Sequence, residues 1–123
     1  MRSELIQISD YELETDAVEF GTAASELAAR VEREGIDGLT RYGFYVDEEA
    51  GTAGAVVTFR DPAAWADHHQ LVAEWDEYIR FRGTVSLVNI AFVGDLPPEL
   101  AAGIEQAGIQ YRHLGTLASG FVR

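Results

Sequence analysis

The chain has 123 residues and a formal net charge of −12, with 21 acidic side chains against nine basic ones. This length suits one domain with its own core, and the negative charge argues against binding to phosphate backbones, so we expect no nucleic-acid partner. The absence of cysteine excludes disulfides and thiolate chemistry, and the absence of a long apolar run or a secretory signal leads us to expect a cytoplasmic protein with no membrane partner.

The first half of the chain predicts a strand, a helix and a hairpin. Residues 5–13 alternate apolar and polar side chains, as in a strand with one buried face. Asp16 and Glu19 have capping-box spacing, and apolar residues recur after them at helical intervals. A polar turn joins two segments rich in β-branched and aromatic residues, 38–46 and 52–59, which indicates a β-hairpin.

The stretch over residues 61–82 predicts one long helix and is the centre of the candidate site. Asp61 is a suitable N-cap, and Pro62 suits the first helical position because its missing N–H is not needed there. A helical projection at about 100° per residue gives an apolar stripe, with His69 toward its edge. The stripe contains Trp65, His68, Leu71, Val72, Trp75 and Ile79.

Several side chains of this predicted helix have two interpretations. His68 is either a core histidine bonded to its neighbours, or a proton carrier or haem-type iron ligand in a cavity, because its pKa lies near neutrality and its neutral ring binds metals. Trp65 and Trp75 are either core anchors or ligand-stacking residues. Arg82 complements the negative pole of the helix and could also contact an anionic substrate.

The rest of the chain predicts one more core strand and an extension. Residues 84–93 are apolar on both faces, as in a strand buried on both. Within that strand, Asn89 is either a structural hydrogen-bonding residue or a polar group in a pocket, because a buried amide must find partners. Residues 94–123 form a C-terminal extension, with a short helix at 99–107 and one more short strand within 109–122.

The order strand, helix, strand, strand, helix, strand predicts an α+β, ferredoxin-like βαββαβ domain. Its core is expected at residues 4–93, with a four-stranded antiparallel sheet and both helices on one face. Alternation places Tyr42 and Phe44 on one side of the sheet, and Leu39 and Tyr45 on the other. Because an exposed face that apolar would be adhesive, we expect a symmetric homodimer in which two sheets close on each other.

Over residues 4–93 the chain resembles a known family, the antibiotic-biosynthesis-monooxygenase-like group of the dimeric α+β barrels. The matching motifs are Gly38–Tyr45 (GLTRYGFY), Asp47 in the turn, Val56–Phe59, and Asp61, Ala64, Trp65 and His68 at the helix start. The resemblance implies a homodimer with a pocket in each subunit between sheet and helices. Some members are cofactor-free oxygenases of phenols and quinols. Others degrade haem, but their first-strand asparagine is not matched here, where Gln7 and Ser9 stand.

We therefore expect a cofactor-independent, monooxygenase-like enzyme acting on a small hydrophobic, aromatic or quinol-type molecule, with no metal and no cofactor. His68 or Tyr78 would assist deprotonation of a phenol. The substrate would contact four further side chains: Trp65, Trp75, Arg82 and Asn89. Two alternatives remain: a non-catalytic small-molecule-binding or stress-related barrel with the same pocket but no working base, and a haem-binding or haem-degrading protein.

Overall fold

Five strands and four helices make up the part of the chain that the structure, a computed structural model, describes: residues 4–121 and residue 123. The strands are β1 (Leu5–Leu13), β2 (Leu39–Asp47), β3 (Thr52–Phe59), β4 (Val85–Gly94) and β5 (Tyr111–Leu114). The helices are α1 (Ala17–Glu34), α2 (Pro62–Val72), α3 (Asp76–Arg82) and α4 (Pro98–Gln106). No helix in this part combines the length and the apolar content that a membrane span requires.

The strands form one sheet in the order β2-β3-β1-β4-β5. The first four are antiparallel to their neighbours, which confirms the predicted α+β, ferredoxin-like core. The fifth strand runs parallel to β4 at the sheet edge, so the sheet is mixed and five-stranded. The predicted four-stranded antiparallel sheet was wrong in this respect, because α4 supplies the long crossover that a parallel pair needs. Val122, at the end of the predicted last strand, lies outside the described residues.

Both predicted helix starts are confirmed, and each uses an aspartate side chain. The Asp16 carboxylate accepts a hydrogen bond from the Glu19 backbone N–H at 2.8 Å. The Asp61 carboxylate accepts one from the Ala64 backbone N–H at 2.9 Å. Each bond satisfies a backbone donor that the first helical turn leaves unpaired.

The predicted single helix over residues 61–82 is in fact two helices. The first ends at Val72, and Trp75 then adopts an extended conformation (φ −68°, ψ 134°) before the second begins. The break changes which side chains face inward: Ile79, on the predicted apolar stripe, is 56% exposed, whereas Phe81 is buried. Because Phe81 enters the core between α1 and the sheet, packing outweighs the helical continuity that local sequence favours.

A register shift in β2 also moves a predicted side chain to the other face of the sheet. The pairing with β3 is irregular between Leu39 and Arg41. Leu39 therefore packs against the core together with Tyr42 and Phe44, rather than on the opposite face as strict alternation predicted. One extra residue in a strand reverses which side chains point inward and which point outward in the part of the strand beyond it.

Two apolar clusters fill the layer between the sheet and the helices. One includes the fully buried Leu5, Phe59 and Phe92 together with Ile104 of α4. The other joins α1 to α3 through Phe20, Leu27 and Phe81, and it includes Val72 at the end of α2. Tyr11, Tyr42 and Phe44 border both clusters, so this part of the sheet connects the two halves of the core.

Replacing Gly94 with alanine tests the junction between the core and the extension. Gly94 has a φ of +109°, and a Cβ there would lie 2.2 Å from the Glu4 backbone oxygen. We expect Gly94→Ala to lower the free energy of unfolding by about 1–3 kcal/mol, measured by urea denaturation. The control is Gly21→Ala in α1, where a Cβ meets nothing within 4 Å and alanine should stabilise by up to about 1 kcal/mol. Equal stability of the two variants would contradict this account.

Candidate functional site

A cavity of about 480 Å³ lies between the sheet and helices α2, α3 and α4. This volume falls within the range of about 300–1,000 Å³ that is usual for small-molecule sites. Its apolar wall comes from β4 and α4: Val85, Leu87, Ile90, Phe92, Leu100 and Ile104. Its polar groups come mainly from β1, α2 and α3: Gln7, Ser9, Tyr11, His69, Tyr78 and Arg82.

The cavity brings together three of the six predicted site residues. Trp65 lines it from α2, while Tyr78 and Arg82 line it from α3. The Arg82 guanidinium carbon lies 5.8 Å from the centre of the Tyr78 ring, within the range of a cation–π contact. An aromatic platform and a positive charge therefore stand together on the α3 wall.

Two other predicted site residues lie away from the cavity. Trp75 packs against the α1–α3 cluster, with the Arg30 guanidinium 4.1 Å from its ring centre. Asn89 is exposed and pairs with Asp10. Because the β1–β4 register shifts beside this pair, Asn89 lies on the sheet face that points away from the helices. The expectation of a buried Asn89 was therefore wrong.

His68, the third predicted residue outside this cavity, is sealed in the core. It is 3% exposed and borders a second cavity of about 60 Å³. Its ring meets Tyr42 edge to face, with centroids 5.4 Å apart. Burial, with the neighbouring His69 as a smaller cause, lowers the pKa of His68 to about 4. Its Nδ1 is buried without a hydrogen-bond partner among the described residues. In this position His68 does not reach the larger cavity.

His69 instead lines both cavities. Its Nδ1 lies 2.9 Å from the Trp65 backbone oxygen, and because a carbonyl only accepts, Nδ1 carries the proton and Nε2 is the basic nitrogen. The ring stacks on the Trp65 indole with centroids 4.1 Å apart. Burial lowers the pKa of His69, and the bond to Trp65 opposes this shift. The helix thus presents a neutral imidazole of fixed tautomer to the cavity.

Three polar side chains in a row on the central strand β1 escaped the sequence analysis as site residues. Gln7, Ser9 and Tyr11 share one face because strand side chains alternate, and all three line the cavity. The Trp65 indole N–H donates to the Gln7 side-chain oxygen at 2.7 Å, and the Gln7 amide donates to Ser9 Oγ at 3.2 Å. The sequence signal that could have identified them is the polar pair Gln7 and Ser9, which lies on the same strand face as Leu5 and Tyr11 and is therefore directed toward the core.

Tyr11 and Tyr42, which border the smaller cavity, stay protonated at neutral pH. Burial raises the pKa of Tyr11, although the Ser9 side chain and the charge of Arg82 pull it down. Burial likewise raises the pKa of Tyr42 far above its ordinary value, with Tyr11 and Tyr78 adding to the effect. At neutral pH the site therefore offers phenol hydroxyls as hydrogen-bond donors and a neutral histidine as a base.

Solved structures of low sequence identity share this fold. MupZ from Pseudomonas fluorescens aligns with a TM-score of 0.76 at 17% identity, over 98% of this chain and 94% of MupZ. SnoaB, a cofactor-independent oxygenase from Streptomyces nogalater, aligns with a TM-score of 0.64 at 11% identity, over 77% of this chain and 95% of SnoaB. A proposed antibiotic biosynthesis monooxygenase from Caulobacter crescentus CB15 aligns with a TM-score of 0.61 at 16% identity, over 78% of this chain and 92% of that one. No protein-family model and no curated protein matches the sequence.

The chain shares its fold with MupZ, SnoaB and the Caulobacter crescentus protein, which confirms the resemblance at the level of the fold. The alignment with MupZ spans 98% of the chain and therefore includes α4 and β5. The alignment with SnoaB spans 77%, which is close to the share of the chain in the core. The α4 wall of the cavity thus belongs to a part of the fold that MupZ shares.

Stability should fall as the pH drops, because His68 is buried in its neutral form. Its pKa is about 4 in the folded protein against an ordinary 6.5, so the unfolded chain binds more protons between these values. The stabilisation is complete above about pH 6.5 and is lost as the pH falls toward 4, by about 3 kcal/mol in total. Between pH 6.5 and 4, the free energy of unfolding of His68→Leu, measured by denaturant titration, should therefore fall by about 3 kcal/mol less than that of the wild type.

The matched control for His68→Leu is Gln70→Leu, which places the same side chain at an exposed, non-titrating position of α2. This variant should keep the pH dependence of the wild type. If His68→Leu and the wild type lost stability in parallel between pH 6.5 and 4, the buried neutral histidine would not be the cause.

Proposed function

We propose that the protein is a cofactor-independent oxygenase that acts on a small phenol or quinol-type molecule in the 480 Å³ cavity. The observation that carries this proposal is the neutral His69, whose Nδ1–H is held by the Trp65 carbonyl and whose Nε2 is left as a base beside an apolar cavity. The fold is shared with SnoaB, which is described as a cofactor-independent oxygenase.

The chemistry begins with proton transfer from a substrate hydroxyl to His69 Nε2. The resulting anion is electron-rich and passes electrons to dioxygen, so that a peroxide forms at an activated carbon that still carries a hydrogen, and the imidazolium protonates it to a hydroperoxide. His69 Nε2 then takes the hydrogen of that carbon as a proton, the O–O bond breaks to leave a ketone, and the imidazolium gives this second proton to the departing hydroxide. One oxygen atom enters the product and the other leaves as water, and the substrate supplies all four electrons that reduce dioxygen.

The walls of the cavity supply orientation and exclude water, which are the protein's other contributions to such a reaction. In this proposal the Trp65 indole, already stacked on His69, forms an aromatic surface beside the base. Tyr78 assists with its hydroxyl, and the Arg82 guanidinium next to it attracts the anion. His68 does not touch the substrate in this scheme, and Trp75 and Asn89 have no part in it.

Ligand binding without catalysis is the second candidate, and the sealed position of His68 favours it. The histidine that the sequence marked as the base is not at the cavity, and a cavity that lacks a working base would only bind. The haem interpretation relied on His68 as an iron ligand, and a ring with 3% exposure is poorly placed for that role. A haemin titration that gives no Soret band would exclude the haem-binding interpretation.

We also propose that two copies of the chain associate through the outer face of the sheet. The strand register places an apolar patch on that face: Ile6, Ile8, Tyr45, Val56, Val93 and Leu114. Ile8 lies near its centre, since β1 is the middle strand, and is 37% exposed, while Tyr45 is 53% exposed. Burial of such a patch against its own copy removes apolar surface from water on both sides.

The oxygenase proposal predicts oxygen uptake that depends on His69. A panel of anthrones, naphthoquinols and catechols is tested in an oxygen electrode, and ¹⁸O₂ should place one labelled atom in the product. Because general bases contribute about 10²–10⁴-fold, His69→Phe, which keeps a ring against Trp65, should slow uptake by at least 100-fold. His113→Phe, at an exposed position outside the cavity, is the control. Binding of these compounds without uptake would establish the second candidate instead.

The dimer proposal predicts that a charge at the centre of the patch separates the copies. Ile8→Asp should give the mass of one chain in light scattering after size exclusion, whereas the wild type gives the mass of two. Val18→Asp is the matched control, because Val18 is 75% exposed on α1, away from the sheet face. A monomeric wild type, or a dimeric Ile8→Asp variant, would contradict the proposal.

A further inference from the structure

The polar row on β1 has a direction, which the Trp65 indole sets. An indole N–H only donates, so the Gln7 side chain must turn its oxygen toward Trp65, at 2.7 Å. The Gln7 amide nitrogen then faces Ser9 and donates to its hydroxyl oxygen at 3.2 Å. The orientation of an otherwise ambiguous amide is thereby fixed.

Tyr11 follows Ser9 on the same face of β1, and all three side chains of the row line the cavity. With its oxygen already accepting from Gln7, the Ser9 hydroxyl is free to donate its own proton. The Ser9 side chain lowers the pKa of Tyr11, so its hydroxyl favours the ionised phenol. The Tyr11 hydroxyl lies at the end of the row, beside the cavity.

The surroundings of Tyr11 keep its hydroxyl proton available to a ligand. The ring is fixed by an edge-to-face contact with Phe81, with centroids 5.8 Å apart, and it borders both cavities. Among the described residues, 4–121 and 123, no side-chain hydrogen bond engages the Tyr11 hydroxyl. Burial raises the pKa of Tyr11, so the group remains a donor at neutral pH. Other titratable groups at the cavity are His69, Tyr78, Arg82 and, on α4, Glu99.

We propose that Tyr11 is a catalytic residue whose hydroxyl donates a hydrogen bond to the substrate oxygen and stabilises the negative charge that deprotonation leaves there. The row from Trp65 through Gln7 and Ser9 positions this donor, in the manner of a preorganised oxyanion site. Arg82, whose charge acts on Tyr11, adds attraction for the same anion. The inference rests on the proposed function for the identity of the anion, a phenolate, but the stabilisation can be measured without any reaction with oxygen.

The test uses 4-nitrophenol, whose neutral and ionised forms absorb at different wavelengths. With protein in excess, a pH titration gives the pKa of the bound probe, and the wild type should hold it below that of the free probe. Removing one hydrogen bond to an anion in Tyr11→Phe should raise the pKa of the bound probe by about one unit, a tenfold change in ionisation. Ser9→Ala, which breaks the row upstream, should give a smaller shift in the same direction.

The matched control is Tyr42→Phe, because Tyr42 borders the same two apolar clusters and the 60 Å³ cavity but does not line the 480 Å³ cavity. This variant should leave the pKa of the bound probe unchanged. Equal shifts in the two variants, no shift in Tyr11→Phe and Ser9→Ala, or failure of the wild type to bind the probe would each overturn the inference. A shift in Tyr11→Phe without oxygen uptake by the wild type would retain the anion-binding role and reject the oxygenase.

Discussion

The hydrogen bond from the Trp65 indole to Gln7 joins helix α2 to the central strand across the edge of the cavity, and much of the site depends on it. At one end it sets the direction of the polar row on β1. At the other it holds the indole on which His69 stacks, while the carbonyl of the same tryptophan fixes the tautomer of that histidine. A neutral hydrogen bond contributes only about 1 kcal/mol net to folding, so its greater effect here is on orientation.

The two adjacent histidines show how one helical step of about 100° separates two chemical environments. His69 has a partner for Nδ1 and access to the cavity, whereas His68 has an unsatisfied Nδ1 and almost no access. An unsatisfied buried polar group costs about 1–3 kcal/mol. His68 therefore lowers the stability of a core that a leucine would fill without that cost, and it makes the fold sensitive to acid.

Much of the fold could be predicted from the sequence, because strand alternation, aspartate caps and the hairpin turn are local signals. The break before α3 has no glycine or proline to mark it, and only the packing of Phe81 in three dimensions explains it. Register shifts in β2 and β4 likewise leave no local mark, so the faces of Leu39 and Asn89 were wrong. For the site, the apolar stripe correctly identified Trp65 as a cavity residue, but it favoured His68 over His69. A helical projection shows which side chains share an apolar face, and it does not show which of them reach a cavity.

Helix α4 contributes a wall to the cavity while lying, like strand β5, outside the four-stranded antiparallel core. The base, the polar row and the outer sheet face all belong to the core, so the two parts have separate tasks. Changes in length or bulk on α4, for example at Gly103, where a Cβ meets nothing within 4 Å, alter the space for a guest molecule without moving the groups that would act on it. Under the proposed function, guest size and the reacting groups are therefore set by separate parts of the chain.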